Sequence, residues 1–296
     1  MKIKITKSSY PDVLALPKEA PFKPKRANMF FRTLMKVVAL PDLIATHFDH
    51  TTTDMDKLGK KEPCLYLMNH SSFIDLEIVA SMLYPRSFNI VATTDSFVGK
   101  SWLMRQIGCI PTKKFVSDFS LLRTMKYTLH ELHSSVVMYP EASYSFDGTA
   151  TALPDSLGGC LKLLGVPVVM IRTYGAYTRD PLYNGLQRRK VKVSANMKYL
   201  LSPEDIKNYS ADELNEILRK EFTIDNFSWQ QENNVRVDES FRADFLNRAL
   251  YKCPHCHTEG MTEGRGTRLV CKSCQKEYEL DEYGSGVGFN TAGKNI

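Results

Sequence analysis

One short segment of the chain carries an amide, an imidazole and a carboxylate, on Asn69, His70 and Asp75. A histidine can accept a proton near neutral pH, and a carboxylate on its other ring nitrogen fixes the tautomer and stabilises the imidazolium. The apolar run 64–68 predicts a strand that ends here, and Asp75 begins a predicted helix, so His70 is expected in a strand-to-helix loop, where α/β folds place catalytic groups. Alternatively, Asp75 only caps the helix and His70 is an ordinary loop residue.

Four cysteines near the end of the sequence form two Cys-x-x-Cys pairs, Cys253 with Cys256 and Cys271 with Cys274, separated by fourteen residues. Four thiolates at this spacing are typical of a tetrahedral zinc site on a β-hairpin ribbon. Because four protein ligands leave no open position for a substrate, the zinc is expected to be structural. Disulfides are disfavoured in a chain expected to stay in the cytosol, and iron is a less common occupant of this spacing.

Short apolar runs alternate with helix-like segments through the middle of the chain. Strands are predicted at 64–68, 88–92, 135–139, 166–172 and 190–197, and helices at 28–40, 75–83, 101–107, 117–133, 155–164, 210–222 and 239–250. This alternation predicts an α/β fold with a largely parallel sheet flanked by helices. We expect a basic arm with an amphipathic helix (1–49), the α/β domain (50–225), a helical connection (226–251), a zinc ribbon (252–283) and a flexible tail (284–296).

The positive charge of the chain is concentrated at its beginning. The net charge is +6 over 296 residues, and residues 1–41 hold nine basic and two acidic side chains, a local charge of +7. Clustered cations attract an anionic surface, either nucleic acid or membrane. Neither a spanning helix nor a signal peptide is expected from the apolar pattern, which favours a cytoplasmic protein.

Three further segments follow His70 in a definite order: GCIPTKK at 108–114, PEASYS at 140–145 and VPVV at 166–169. Together with Asn69-His70-x4-Asp75, they resemble the four motifs of the glycerolipid acyltransferase superfamily, the lysophosphatidate acyltransferase-like enzymes. The resemblance covers about residues 60–200. Four motifs in family order are far more specific than any one of them.

The resemblance implies an O-acyltransferase, like the 1-acylglycerol-3-phosphate O-acyltransferases of phospholipid biosynthesis or remodelling. It implies transfer of a fatty acyl group from acyl-CoA or acyl carrier protein to a hydroxyl of a lysophospholipid or glycerol-phosphate-type acceptor. His70 would be the general base, oriented by Asp75. The residues implied in substrate binding are Lys113, Lys114, Glu141, Ser143 and Tyr144.

Four departures from the family motifs fall on the acceptor side of the predicted site. Lys114 and Tyr144 stand at arginine positions, and a lysine lacks the bidentate fork that matches phosphate. Ala142 replaces a glycine, which restricts the backbone if that turn needs positive φ, and Pro111 replaces a phenylalanine and removes a backbone donor. The acceptor is therefore open between a phosphate-bearing lipid and another lipid hydroxyl.

The predicted helix 28–40 offers a way to reach membrane substrates. Phe30, Leu34 and Val37 are on one face, and Arg32 and Lys36 are on another. This is the pattern of a helix lying in the membrane interface, which predicts peripheral attachment to the inner face of a membrane. The alternative is an amphipathic helix packed on the protein's own sheet.

A different class of function uses the basic arm and the ribbon as a nucleic-acid or protein-binding module. The ribbon sequence is nearly balanced in charge and lacks the interleaved aromatic and basic residues that stack bases, so nucleic acid is disfavoured. A ribbon that docks on the α/β domain or recruits a protein partner is compatible with an enzyme.

Overall fold

The computed structural model describes residues 7–16, 22–113 and 119–289. Seven strands form one sheet in the order β1-β7-β6-β2-β5-β3-β4. Strands β2 to β6 run in one direction, β7 pairs antiparallel with β6, and β1 is parallel to β7. The strands are β1 Asp49–Thr53, β2 Leu65–Met68, β3 Phe88–Thr93, β4 Cys109–Thr112, β5 Ser135–Met138, β6 Val168–Tyr174 and β7 Ser194–Leu201. The predicted α/β fold with a largely parallel sheet is confirmed.

Helices cover both faces of this sheet, so its central strands are buried on both sides. In β2, Tyr66 and Met68 pack with α2 and α3, whereas Leu65 and Leu67 pack with α5, α6, α8 and α9. Such double burial explains why β2 is apolar at every position instead of alternating. The helices are α1 Tyr10–Leu14, α2 Met29–Ala45, α3 Ile74–Met82, α4 Ser101–Gln106, α5 Phe119–His130, α6 Leu157–Leu164, α7 Ala176–Arg179, α8 Pro203–Asn208, α9 Ala211–Phe222 and α10 Asn226–Glu232.

A second, four-stranded antiparallel sheet forms the cysteine-rich end, which we call the ribbon (residues 252–289). It docks on the α/β domain: Tyr183 donates a hydrogen bond to the carbonyl of Arg242 at 2.9 Å, and Nε of Arg242 donates to the carbonyl of Leu280 at 2.7 Å. The docking alternative considered for the ribbon is therefore the arrangement found. Its strands are β8 Thr262–Arg265, β9 Arg268–Cys271, β10 Glu277–Leu280 and β11 Gly286–Phe289.

The predicted end of the first helix, at residue 40, is wrong, because α2 continues through Pro41 to Ala45. Proline cannot donate a hydrogen bond to the carbonyl of residue 37. Pro41 and Val37 are both exposed, so water can satisfy that carbonyl and the helix is not broken. A second, short helix, α1, also lies in the arm.

Two predictions for the end of the chain are also wrong. Residues 239–250 form turns and one short 3₁₀ segment, Leu246–Arg248, instead of a helix. Their backbone pairs with the ribbon: Ala243 N–H donates to Gly266 at 2.8 Å and Phe245 N–H to Gly264 at 3.0 Å. The predicted tail begins too early as well, because Gly286–Phe289 pairs with β10 as strand β11. Residues 290–296 of that tail lie outside the described residues.

Candidate active site

The site is built where β2 ends, at the edge of the sheet where the parallel strands place their carboxyl ends. Nδ1 of His70 lies 3.0 Å from Oδ2 of Asp75. The same oxygen accepts the backbone N–H groups of Ser71 at 2.7 Å and Ser72 at 3.0 Å. Asp75 therefore closes the turn before α3 and also contacts the imidazole, whereas the N-cap residue of α3 is Phe73.

The burial of these groups determines which nitrogen of the imidazole meets a substrate. Asp75 is completely buried, whereas the side chain of His70 is 22% exposed. The carboxylate favours a proton on Nδ1, which leaves the Nε2 lone pair to accept another. No residue in the described part of the chain makes a hydrogen bond to Nε2. A histidine paired in this way can accept a proton at Nε2.

Asn69 fixes the loop to the neighbouring strand. Its Oδ1 accepts from the backbone N–H of Thr173 at 2.8 Å and from the Thr173 hydroxyl at 3.2 Å, and its Nδ2 donates to the Thr173 carbonyl at 3.3 Å. Thr173 is the sixth residue of β6, and this pairing extends the contact of β2 with β6 past the last strand residue. Asn69 thus positions the backbone that carries His70.

Two tyrosine rings enclose the imidazole. The ring of Tyr139 stacks on that of His70 with centroids 4.1 Å apart, and the ring of Tyr144 meets it edge to face at 4.4 Å. Tyr139 follows β5, the neighbour of β2 on the side opposite β6. Sequence reasoning missed Tyr139, although its position directly after a buried strand was a signal that could have found it.

The third motif forms a turn beside the histidine. Ser145 N–H donates to the carbonyl of His70 at 2.8 Å, and His70 N–H donates to Oε2 of Glu141 at 3.4 Å. Ala142 adopts a φ of +60°, in the left-handed region that a glycine occupies at lower cost. Of the residues predicted to bind substrate, Glu141 is buried, Tyr144 is half-buried and Ser143 is exposed.

Burial favours the protonated, uncharged form of three groups around His70: Glu141, Tyr139 and Tyr144. Burial raises the pKa of Glu141 to about 8, and the nearby Asp75 carboxylate adds to this rise. Burial, with a smaller contribution from Asp75, also raises the pKa of Tyr139 and of Tyr144. Glu141 is therefore largely protonated at neutral pH and can donate a hydrogen bond. Its Oε1 is buried and has no partner among the described residues.

Lys113, one of the two predicted phosphate-binding lysines, does not join this cluster. Lys113 is exposed at the end of β4, and β4 lies three strands from β2. At about 4.8 Å between neighbouring strands, this places it roughly 14 Å from the strand that carries His70. Lys114 lies outside the described residues.

A buried ionic cluster behind the site was not predicted from the sequence. The Arg179 guanidinium binds Asp42 of α2 at 2.5 Å and Asp180 at 3.2 Å, and its side chain is 4% exposed. Burial raises the pKa of Asp180 to about 6 and that of the neighbouring Glu77 to about 7. The cluster joins α2 to the segment that follows β6. Its residues carry no periodic or spacing signal, so the sequence alone did not reveal it.

The four predicted cysteine ligands come together in the ribbon. Their sulfur atoms all lie within 4.8 Å of one another. The two pairs are alike in backbone: Cys253 N–H donates to Thr258 and Cys271 N–H donates to Lys276, at 3.0 and 2.9 Å. Such matched turns direct four thiolates to one point, the donor set that zinc prefers. His255 and His257 are exposed, as expected for side chains outside the ligand set.

The fold is α/β, and a histidine paired with a buried aspartate lies at the carboxyl edge of its parallel strands. Residues 49–172 match the model of the family described as Acyltransferase. The chain also resembles the crystal structure of the 1-acyl-sn-glycerophosphate (LPA) acyltransferase PlsC from Thermotoga maritima. The TM-score is 0.50 and the sequences are 17% identical, covering 64% of this chain and 76% of that one, which shows a shared fold.

Two curated plant proteins match part of the chain. Each is 29% identical over 117 residues, 38% of this chain: the chloroplastic 1-acyl-sn-glycerol-3-phosphate acyltransferases BAT2 of Brassica napus and LPAT1 of Arabidopsis thaliana. The match spans about a third of the length of either relative. The similarity to acyltransferases therefore lies in the part of the chain that carries His70 and Asp75, residues 49–172 in the family match.

Proposed function

We propose that this protein transfers a fatty acyl group from a thioester, acyl-CoA or acyl carrier protein, to a hydroxyl of a lysophospholipid or glycerol-phosphate-type acceptor. The observation that carries the proposal is the 3.0 Å contact between Nδ1 of His70, whose side chain is 22% exposed, and the buried carboxylate of Asp75. The position of this pair within the region that matches the acyltransferase family supports the same reaction.

The chemistry needs one proton carrier and no covalent acyl-enzyme. Nε2 of His70 takes the proton of the acceptor hydroxyl as its oxygen attacks the thioester carbonyl carbon. The carbon–sulfur bond then breaks, and the imidazolium returns the proton to the departing thiolate, so the products are an ester and a thiol. Asp75 stabilises the imidazolium between these two transfers.

Glu141, Ser143 and Tyr144 form the part of the site proposed to receive the acceptor. Protonated Glu141 supplies a hydrogen-bond donor beside His70, where it can meet an acceptor oxygen or the developing oxyanion. Lys113, with Lys114 next in sequence, is the proposed contact for an acceptor phosphate. Its distance from His70 favours an acceptor whose phosphate is extended away from the reacting hydroxyl.

The N-terminal helix is proposed to attach the protein to a membrane surface on the cytoplasmic side. No helix in the described residues has the length and apolarity needed to cross a bilayer. In α2, however, Phe30, Val38 and Ile44 are 65–69% exposed, and Trp102 of α4 adds an exposed indole against Phe31, with ring centroids 5.7 Å apart. An apolar helix face beside a basic arm suits an anionic lipid interface.

The cysteine cluster is proposed to hold a structural zinc ion. Cys253, Cys256, Cys271 and Cys274 supply all four ligands, so the metal would stabilise the ribbon and take no part in the reaction.

The decisive experiment incubates the purified full chain with acyl-CoA or acyl carrier protein donors and a panel of lysolipids, and identifies products by mass spectrometry. We expect a new ester and free thiol in equal amounts. The His70→Ala variant should lose turnover while keeping its circular dichroism spectrum and metal content. His50→Ala, at an exposed position of β1, is the matched control and should retain turnover. Turnover by His70→Ala at the wild-type rate would refute the mechanism.

A further inference from the structure

A cavity of about 560 Å³ lies between the α/β domain and the ribbon; we call it the ribbon cavity. Its volume is within the range of about 300–1,000 Å³ usual for small-molecule sites. Most of its lining surface is apolar. The α/β domain and α10 contribute Tyr177, Tyr183 and Phe227, and the ribbon with the segment before it contributes Leu246, Leu269 and Leu280.

The walls of the ribbon cavity are held by paired polar groups. The hydroxyl of Tyr183 accepts from Nη2 of Arg189 at 2.8 Å and donates to the carbonyl of Arg242 at 2.9 Å. Arg242 is itself bonded to Leu280 of the ribbon. Because these hydrogen bonds hold the ribbon against the α/β domain, the cavity between them is a fixed part of the interface.

The cavity borders the loop that packs on His70. Asp147 lines the cavity and lies three residues after Tyr144, whose ring contacts the imidazole. Three residues span at most about 11 Å. The backbone of the same loop also packs closely on the cavity wall at Gly148. The fit leaves no room for a side chain there, because an added Cβ would lie 2.7 Å from Cε1 of Tyr177. One short loop therefore meets both the base and the cavity.

The residues that line the cavity indicate which part of a substrate it can bind. The charged side chains in the described lining, Asp147 and Glu279, are both acidic, which disfavours the phosphates of a nucleotide or a lipid headgroup. What fits an apolar space beside an acyltransfer site is a hydrocarbon chain. We propose that the ribbon cavity binds a fatty acyl chain of the reacting lipids, so that the ribbon completes the substrate site. This inference rests on the proposed function.

Filling the cavity tests the idea. Ala249→Phe adds a ring to the lining, and Gly286→Phe does so at a second position where a Cβ meets no atom within 4 Å. Gly159→Phe on α6 is the matched control, because its Cβ also meets open space and it does not line the cavity. Each full-length variant is first checked for metal content and circular dichroism.

Two arms of the assay distinguish the source of the chain. In one, octanoyl and palmitoyl donors are compared with a constant acceptor; in the other, short-chain and long-chain lysolipids are compared with a constant donor. We expect both filling variants to lower kcat/KM for the long chain at least about tenfold relative to the short one in one arm, and the control to change this ratio less than about twofold. An unchanged ratio in both arms for both filling variants would overturn the inference and leave the proposed function standing.

Binding without turnover separates the two proposals. Two probes are used: a palmitoyl group joined to coenzyme A by a non-reactive thioether, and a palmitoyl lysolipid without donor. Both should bind the wild-type protein, and one of them should lose at least about tenfold in affinity in Ala249→Phe and Gly286→Phe. If the wild type binds these probes but transfers no acyl group, the proposed function fails and the cavity assignment stands. If the filling variants bind both probes as tightly as the wild type, the cavity is not the acyl site.

Discussion

Oδ2 of Asp75 accepts three hydrogen bonds at once, from Nδ1 of His70 at 3.0 Å and from two backbone N–H groups at 2.7 and 3.0 Å. The backbone N–H groups of the turn therefore hold the Asp75 carboxylate in the position where it contacts the imidazole. The hydrogen bonds that orient the imidazole through Asp75 are thus made within one short segment, residues 70–75. This arrangement leads to the first prediction.

Replacement of Asp75 by asparagine should reduce kcat by about a hundredfold or more, since the neutral amide cannot stabilise the imidazolium that forms during proton transfer. The amide oxygen can still accept from Ser71 and Ser72, so the fold should survive. Steady-state kinetics with circular dichroism checks this. The exposed Asp56→Asn variant serves as control. Asp75→Asn with wild-type kcat would contradict the role assigned to the pair.

Ala142→Gly should stabilise the protein by about 1 kcal/mol, because the alanine is held at a φ of +60°. Urea unfolding measures the change. Ala152→Gly, an exposed loop position outside the left-handed residues, should instead be destabilising by about 0.5 kcal/mol. If Ala142→Gly and Ala152→Gly changed the free energy of unfolding in the same direction, backbone strain at Ala142 would not affect stability.

Glu141 should make the protein less stable as the pH rises. Its pKa is about 8 in the folded chain against 4.5 normally, so the folded state binds more protons than the unfolded state between these values. The free energy of unfolding should therefore fall through this window and level off above it. Relative to wild type, Glu141→Gln should gain stability steadily across the same window, as measured by urea unfolding at a series of pH values.

Glu213 provides a control of opposite sign. Its pKa is lowered because it accepts hydrogen bonds from Ser210 at the start of α9. Its contribution to stability is present above the normal pKa and is lost as the pH falls through the lowered one. Glu213→Gln should be less stable than wild type at neutral pH. For the Glu141 prediction, a stability difference between Glu141→Gln and wild type that does not vary with pH would exclude the raised pKa of Glu141.

Cys271→Ser should abolish zinc binding, because one of the four thiolates is lost. The ribbon should lose roughly 5 kcal/mol or more of folding free energy, and the core it shares with Tyr177 and Tyr183 should open. Native mass spectrometry and thermal unfolding measure both effects. Cys160→Ser on α6 should keep the metal. Full zinc occupancy in Cys271→Ser would exclude the proposed ligand set.

Val38→Glu should weaken binding to anionic vesicles, because it places a carboxylate on the exposed apolar face of α2. A loss of about tenfold or more in a vesicle sedimentation assay is expected, and wild-type binding should also fall as salt is added. Leu163→Glu is the control, since Leu163 is 58% exposed on α6, which packs on the other face of the sheet. Equal binding by both variants would exclude α2 as the contact.

Local features of this protein were determined by the sequence alone. The His70 and Asp75 pair is five residues apart in one loop, and each Cys-x-x-Cys pair is set by its own turn, so neighbouring residue types sufficed to predict them. The family resemblance, later supported by the match over 49–172, rested on the order of four short motifs. The alternation of strands and helices was likewise enough for the fold class.

What only the tertiary structure decided depends on which strands become neighbours. Tyr139 and Thr173 reach the site because β5 and β6 flank β2, an order that no residue spacing encodes. The continuation of α2 past Pro41, the turns of 239–250 and the strand β11 follow from exposure or from pairing with distant segments. The ribbon cavity exists because the α/β domain and the ribbon, which were predicted separately, pack together. The contacts between them join residues far apart in the chain, and a local sequence pattern does not predict such contacts.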